Sequence, residues 1–167
     1  MEKIGIFYGT SSGNTEDVAQ LIGKKLGIAE ENIHDIYKSK ASPLDYEVLL
    51  LGSSSTGAGD MQDDWETFLE SLQKMGLSGK KVALFSCGDS ATFSDTFCGA
   101  MGLIYEGLKK SGCIFIGTGV STDGYTFDDS EALVGDSFVG LPLDPDNESD
   151  LTEERVDAWL EKLKAEI

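Results

Sequence analysis

The chain has 167 residues, enough for one domain (1–167) with its own core, and its composition, 40% hydrophobic and 26% charged, is that of an ordinary globular protein. Its formal charge is −17, and from Asp123 onward 14 acidic side chains stand against Arg155, Lys162 and Lys164, a surface that repels nucleic acid and anionic membranes and attracts basic protein partners. No apolar run approaches the ~20 residues that span a bilayer, no signal peptide is evident, and Cys87, Cys98 and Cys113 lack the spacing of a disulfide framework or metal site, so a reduced, cytoplasmic monomer without membrane insertion is expected.

Residues 3–8 predict a first strand, and Val18, Leu21, Ile22 and Leu26 supply the apolar stripe of a helix that should stop at Gly27. Between them lies Gly9-Thr10-Ser11-Ser12-Gly13-Asn14-Thr15, a loop of glycines and hydroxyls at a strand-to-helix junction. The first-turn N–H groups of a helix have no partner within it and carry the positive end of its dipole, so such a loop is an anion site. A Walker A loop would place Lys directly after the second Gly to reach the outer phosphates, but Asn14 stands there, and a single phosphate group is the ligand that fits.

A second strand is expected over Ile33–Tyr37, and a third at Val48-Leu49-Leu50-Leu51, whose lack of alternation marks a parallel strand buried on both faces. Trp65, Phe68, Leu69 and Leu72 predict a helix ending near Gly76, followed by a fourth strand over Lys81–Phe85. Phe97, Met101, Ile104 and Leu108 mark the next helix, and Cys113–Ile116 a fifth strand. Some twenty residues rich in Asp, Ser and Gly then interrupt the pattern before Phe138-Val139-Gly140-Leu141, which reads as an insertion in the fifth strand. The last helix opens at Thr152-Glu153-Glu154 and buries Val156, Trp159, Leu160 and Leu163. Alternating strands and helices predict an α/β fold, a three-layer doubly wound five-stranded parallel sheet of order 2-1-3-4-5, with its ligand beyond the carboxyl ends of the strands. The loops after strands one, three and four, residues 9–15, 53–62 and 86–96, are therefore the candidate site.

These motifs, together with Gly59-Asp60-Met61-Gln62, Asp64-Trp65, Gly88-Asp89, Ser121-Thr122-Asp123-Gly124-Tyr125 and the cluster of Asp144, Asp146 and Asn147, give a chain that resembles the flavodoxins of the long-chain type nearly end to end. The resemblance implies noncovalently bound FMN and low-potential one-electron transfer between redox enzymes, such as a flavodoxin/ferredoxin reductase or a 2-oxoacid oxidoreductase, without substrate turnover. It puts the phosphate on Thr10, Ser11, Ser12, Gly13, Asn14 and Thr15. The flavin falls to Ser54, Ser55, Thr56, Gly57, Ala58 and Gly59 in the second loop and to Cys87, Gly88, Asp89 and Phe93 in the third. Asp89 matches the acceptor for the flavin N3–H, and Asp146 a residue near the ribityl chain. In the family a peptide of the second loop, here within Gly57-Ala58-Gly59, turns its carbonyl to the reduced flavin.

Two positions depart from the family pattern. The usual stacking Trp and Tyr are replaced by Thr56 and Phe93, so one aromatic face is missing. Trp65 and Trp159 lie on apolar helical stripes and belong to the core.

Gly9-Thr10-Ser11-Ser12-Gly13 also fits the G-x-S-x-G pattern of serine hydrolases, but the single histidine, His34, lies early at the start of the second strand, whereas that fold expects a late histidine after an acidic residue. A low-molecular-weight phosphatase would need an Arg beside a reactive Cys, and the single arginine is Arg155 in the last helix. A flavin-binding fold used only as a non-redox interaction module is the remaining alternative.

Overall fold

In the computed structural model, which describes residues 3–56 and 59–167, the first apolar run forms β1 (Ile4–Gly9) and the stripe behind it forms α1 (Asn14–Leu26), capped by Gly27. Strand β2 (Ile33–Asp35) stops at Asp35 rather than Tyr37. There the Asp35 carboxylate accepts from the Tyr37 N–H at 3.0 Å and its carbonyl from the Ser39 N–H at 2.8 Å, which turns the chain out of the sheet. Strand β3 (Val48–Thr56) continues past the apolar run through three serines, and a short antiparallel return, β4 (Asp60–Met61), folds back on its end. Helix α2 (Asp63–Met75), strand β5 (Lys81–Cys87) and helix α3 (Gly99–Leu108) follow. Phe97 lies before α3 rather than in it, because Cys98 takes a left-handed conformation at φ 52° and starts the helix one residue later.

β2, β1, β3 and β5 run parallel in that order, and the fifth place in the sheet is shared. β6 (Ile114–Phe115) pairs with the start of β5, Lys81 and Val82, whereas β10 (Leu141–Leu143) pairs with its end, Phe85 to Cys87. The insertion thus splits the edge strand in two. It forms a small antiparallel sheet of β7 (Val120–Ser121), β8 (Leu133–Val134) and β9 (Ser137–Phe138), with β9 in the middle. α4 (Pro145–Glu148), a 3-10 turn and α5 (Thr152–Lys164) close the chain.

The uniform run in β3 behaves as a doubly buried strand must, its residues alternating between two cores. Leu49 and Leu51 face the side of α2 and α3 with Phe7, Trp65, Leu72, Val82, Met101 and Ile104, while Val48 and Leu50 face α1 and α5 with Ile6, Ile22, Phe85, Trp159 and Leu163. Both tryptophans are core residues that donate an indole N–H to a backbone carbonyl, Trp65 to Gly52 at 2.7 Å and Trp159 to Gly117 at 2.9 Å. The parallel strands all end on one edge. The loops that leave it are those the sequence singled out.

Candidate functional site

The first loop is shaped by Gly13, whose φ of 98° lies in the left-handed region and whose N–H donates to Thr10 Oγ1 at 2.9 Å. The first intrahelical bond of α1 runs from the Asp17 N–H to the Gly13 carbonyl at 3.0 Å, so the amides of Asn14, Thr15 and Glu16 have no acceptor within the helix. Ser11 and Ser12 are exposed, Thr10 and Asn14 half-buried, and Thr15 fully buried. The Thr15 hydroxyl has no hydrogen-bond partner, and neither does the buried hydroxyl of Ser54 at the end of β3. A buried hydroxyl without a partner costs about 1–3 kcal/mol, so two of them beside a row of free helix amides fit a ligand with several acceptor oxygens. The loop contains no cation, and dipoles and hydroxyls must neutralise that ligand's charge.

Cys87, the last residue of β5, borders the same place. Burial pushes its thiol up to about 12, and the neighbouring Thr15 hydroxyl opposes that shift without reaching hydrogen-bond geometry. Cys87 is therefore a neutral, packed side chain. Ser55, by contrast, is already engaged: its Oγ lies 3.1 Å from that of Ser86 and accepts from the Ala100 N–H at 3.1 Å. The Ser55 hydroxyl is thus held by the scaffold, which leaves its backbone as the freer group toward a ligand. Thr56 is half-buried, its Oγ1 3.4 Å from the Met61 carbonyl. Gly57 and Ala58 lie outside the described residues. Gly59, at φ 85°, fits against Thr96 and Gly99, where a Cβ would have to displace the Thr96 side chain.

The third loop leaves β5 through the buried Gly88, whose N–H donates to the Leu143 carbonyl at 2.8 Å. Asp89 accepts from the Thr92 N–H at 3.1 Å and from Asn147 Nδ2 at 2.9 Å. The Asn147 bond is the main influence holding its carboxyl below the ordinary range. Phe93 is 38% exposed, not a core residue under the loop, so its ring is open to stack on a flat ligand. Asp146 is exposed and accepts from Asn14 Nδ2 at 3.3 Å, which brings the acidic C-terminal connection across the sheet edge to the first loop.

Gln62, Asp64, Asp144 and Asn147 also tie the loops together, and the sequence motifs contained them without singling out these contacts. Gln62, almost fully buried at the start of α2, points its Nε2 to the Thr10 carbonyl at 3.4 Å and to Asp64 Oδ2 at 2.6 Å, joining first and second loops. Asp144, 1% exposed, accepts from the Ser90 N–H at 3.2 Å, from the Ser90 hydroxyl and from Asn147 Nδ2 at 2.8 Å. A polar residue at the start of a helix or in an acidic tail has so many surface uses that neither periodicity nor composition could single these out.

His34 is far from a hydrolytic arrangement. Its Nε2 is 2.8 Å from the Tyr46 hydroxyl, which itself donates to Asn32 Oδ1 at 3.0 Å, and its Nδ1 is 3.2 Å from Ser39 Oγ. Both ring nitrogens are occupied within β2 and its neighbours, and the G-x-S-x-G serine has no base.

Residues 6–159 match the family model described as Flavodoxin. The chain is 41% identical to a flavodoxin of Nostoc sp. over 167 residues, covering 99% of this chain and 98% of that one. It is 41% identical to flavodoxin 1 of Salmonella typhimurium over 165 residues, covering 98% and 93%. Among solved structures, the Fusobacterium nucleatum flavodoxin bound to flavin mononucleotide superposes with a TM-score of 0.91 at 28% identity, covering 100% of this chain and 99% of that one.

Proposed function

The chain belongs to the flavodoxin family and is an FMN-based electron carrier without substrate turnover of its own, and on that premise we propose how its residues hold the cofactor and which partners it serves. FMN supplies the one-electron chemistry. The protein's part is to bind the phosphate through the amides of Asn14 to Glu16 and the hydroxyls of Thr10, Ser12, Thr15 and Ser54, and to set the ring between the Thr56 and Phe93 loops. Asp89 accepts from the flavin N3–H, and Asp146 lies near the ribityl chain. The acidic groups near the ring, Asp60, Asp63, Asp64, Asp89 and Asp146, disfavour added negative charge there and keep the reduced cofactor a strong reductant. The observation that carries the phosphate assignment is the pair of orphaned buried hydroxyls, Thr15 Oγ1 and Ser54 Oγ, beside the open end of α1.

The partners are redox enzymes with basic docking surfaces, such as a flavodoxin/ferredoxin reductase or a 2-oxoacid oxidoreductase, which the protein meets as a cytoplasmic monomer. The charge of −17 supports that choice, and among the described residues no helix is long and apolar enough to cross a membrane.

Thr15→Val tests the phosphate site with a signature of two opposite signs. Removing a buried, unpartnered hydroxyl should stabilise the apoprotein by about 1 kcal/mol, while FMN should lose a hydrogen bond to a charged group worth about 1.5–3 kcal/mol and bind more than tenfold more weakly. Riboflavin, which lacks the phosphate, should bind as before. Equal loss of FMN and riboflavin affinity in fluorescence titrations would place the phosphate elsewhere.

A further inference from the structure

α4 is only four residues long, yet it touches three parts of the molecule at once. Asp146 meets Asn14 of the phosphate loop, Asn147 meets Asp89 of the third loop, and Glu148 pairs with Arg155 at 3.1 Å. The central contact has the most specific geometry. The two N–H bonds of the Asn147 amide are spent on two carboxylates, Asp89 Oδ1 at 2.9 Å and Asp144 Oδ1 at 2.8 Å. Asp144 is itself fixed, since it is buried and holds both the N–H and the hydroxyl of Ser90, the residue after Asp89. A side-chain amide has two donors on one nitrogen, which among neutral side chains only Asn and Gln provide, and the short Asn side chain spans the two acceptors from its place in the helix turn.

From this we propose that Asn147 is a positioning residue for the flavin: locked by Asp144, it fixes the Asp89 carboxylate in the orientation from which it accepts the ring N3–H. This rests on the assignment of Asp89 to the flavin edge. The bonds that Asp89 accepts from Asn147 and from the Thr92 N–H both fall on Oδ1, with further contacts from the Ala91 N–H and the Thr92 hydroxyl; a carboxylate has about four lone-pair sites, so capacity remains for a ligand donor. Without Asn147 the carboxylate would keep only its contacts within the loop, led by the Thr92 N–H at 3.1 Å, and would turn more freely about its last torsion, so that part of the ordering would have to be supplied by the flavin on binding. The same bond is the leading influence that holds the Asp89 carboxyl below its ordinary range, which favours the ionised, accepting form.

Asn147 is exposed, so Asn147→Ala should fold, and the melting curve of the apoprotein checks that it does. The expected result is a loss of about tenfold in affinity for FMN and riboflavin alike, because the ring edge is common to both. With 15N-labelled FMN bound, the N3–H proton should exchange faster with water than in the parent, a change that a purely structural role would not cause. Asn147→Asp, which puts a third carboxylate between two, should weaken both flavins further. In the Asp89→Ala background Asn147→Ala should cost little more, because the two act through one bond. If Asp89→Ala weakens both flavins while Asn147→Ala changes neither affinity nor N3–H exchange, the positioning role is wrong and the flavin-edge assignment stands. Selective loss of FMN would also overturn it, since Asn147 would then act through the phosphate end. No effect of Asp89→Ala on either flavin removes the assignment and the proposal together.

Discussion

At the scale of single residues, the side chains that shape this protein's behaviour are those whose polar atoms are either overcommitted or left without a partner. Thr15 and Ser54 hold open hydroxyls where a phosphate is proposed to bind, whereas Ser55 and Gln62 have theirs consumed by the scaffold. His34 too has its polar atoms consumed by the scaffold. Because the Tyr46 hydroxyl donates to Asn32, it can only accept from His34 Nε2, and in the neutral ring Nδ1 is then left to accept from Ser39, so the neutral form carries its proton on Nε2. Burial lowers its basicity below the ordinary value. A histidine whose folded value is depressed adds nothing to the pH dependence well above the unfolded value of about 6.5, and folding loses stability as pH falls below it, because the unfolded chain takes up the proton first. Urea unfolding of the apoprotein at pH 7.5 and 5.5 should therefore show a larger drop for the parent than for His34→Gln, which keeps a hydrogen-bonding side chain but cannot titrate. Equal drops would mean that the carboxylates alone set the acid limb.

At the scale of elements, the insertion acts as a brace for the third loop of the candidate site. Phe127 and Phe138 close on Phe97 at ring separations of 5.6 and 6.3 Å, and the Asp128 N–H donates to Ser94 Oγ at 2.9 Å, so the loop's far end is held from outside the sheet. The brace is in turn fastened to α5. The Arg155 guanidinium lies 4.0 Å from the centroid of the Tyr125 ring and donates to the Gly124 carbonyl at 2.7 Å, and Lys162 Nζ reaches the Gly119 carbonyl at 3.2 Å. Arg155→Ala removes a partly buried cation–π contact and two hydrogen bonds and should cost about 2 kcal/mol. Arg155→Lys should recover less than half of that, because an ammonium cannot stack on Tyr125 and serve both acceptors from one plane. Amide exchange should quicken in residues 119–138 and in the third loop while β1, β3 and β5 keep their protection, and uniform acceleration would show that the insertion has no separate mechanical role.

For the molecule as a whole, charge is the dominant property. With −17 spread over a chain of 167 residues, association with a basic reductase should be fast at low salt and slow as ionic strength rises, because the Debye length shrinks from roughly 30 Å at 0.01 M to roughly 8 Å at physiological salt. The exposed carboxylates of α2 nearest the second loop are Asp63, Glu66 and Glu70. Asp64 is a poor test residue, since it also holds Gln62. Reversing the three exposed ones to Lys should lower the association rate constant about tenfold and flatten its salt dependence, leaving FMN affinity nearly unchanged. A parent protein whose association ignores salt would rule out steering.

The order of elements, the doubly wound sheet, the insertion in the fifth strand and the glycine- and hydroxyl-rich turn into α1 were all legible in the sequence, because each follows from local rules: period of burial, glycine and hydroxyl placement, and the free amides of a helix start. The family resemblance then supplied the flavin. What only the tertiary structure decided is where polar side chains distant in sequence find one another. Asn14 and Asp146 are 132 positions apart, Asp89 and Asn147 58, Ser90 and Asp144 54. A polar residue in a loop has no periodicity to betray its partner. Its hydrogen bonds depend on the separation of strand ends across the sheet, and that distance is set by packing the two cores rather than by any local pattern. For the same reason the sequence could place Ser55 and Ser54 in one loop but not tell which hydroxyl the scaffold uses and which it leaves without a partner.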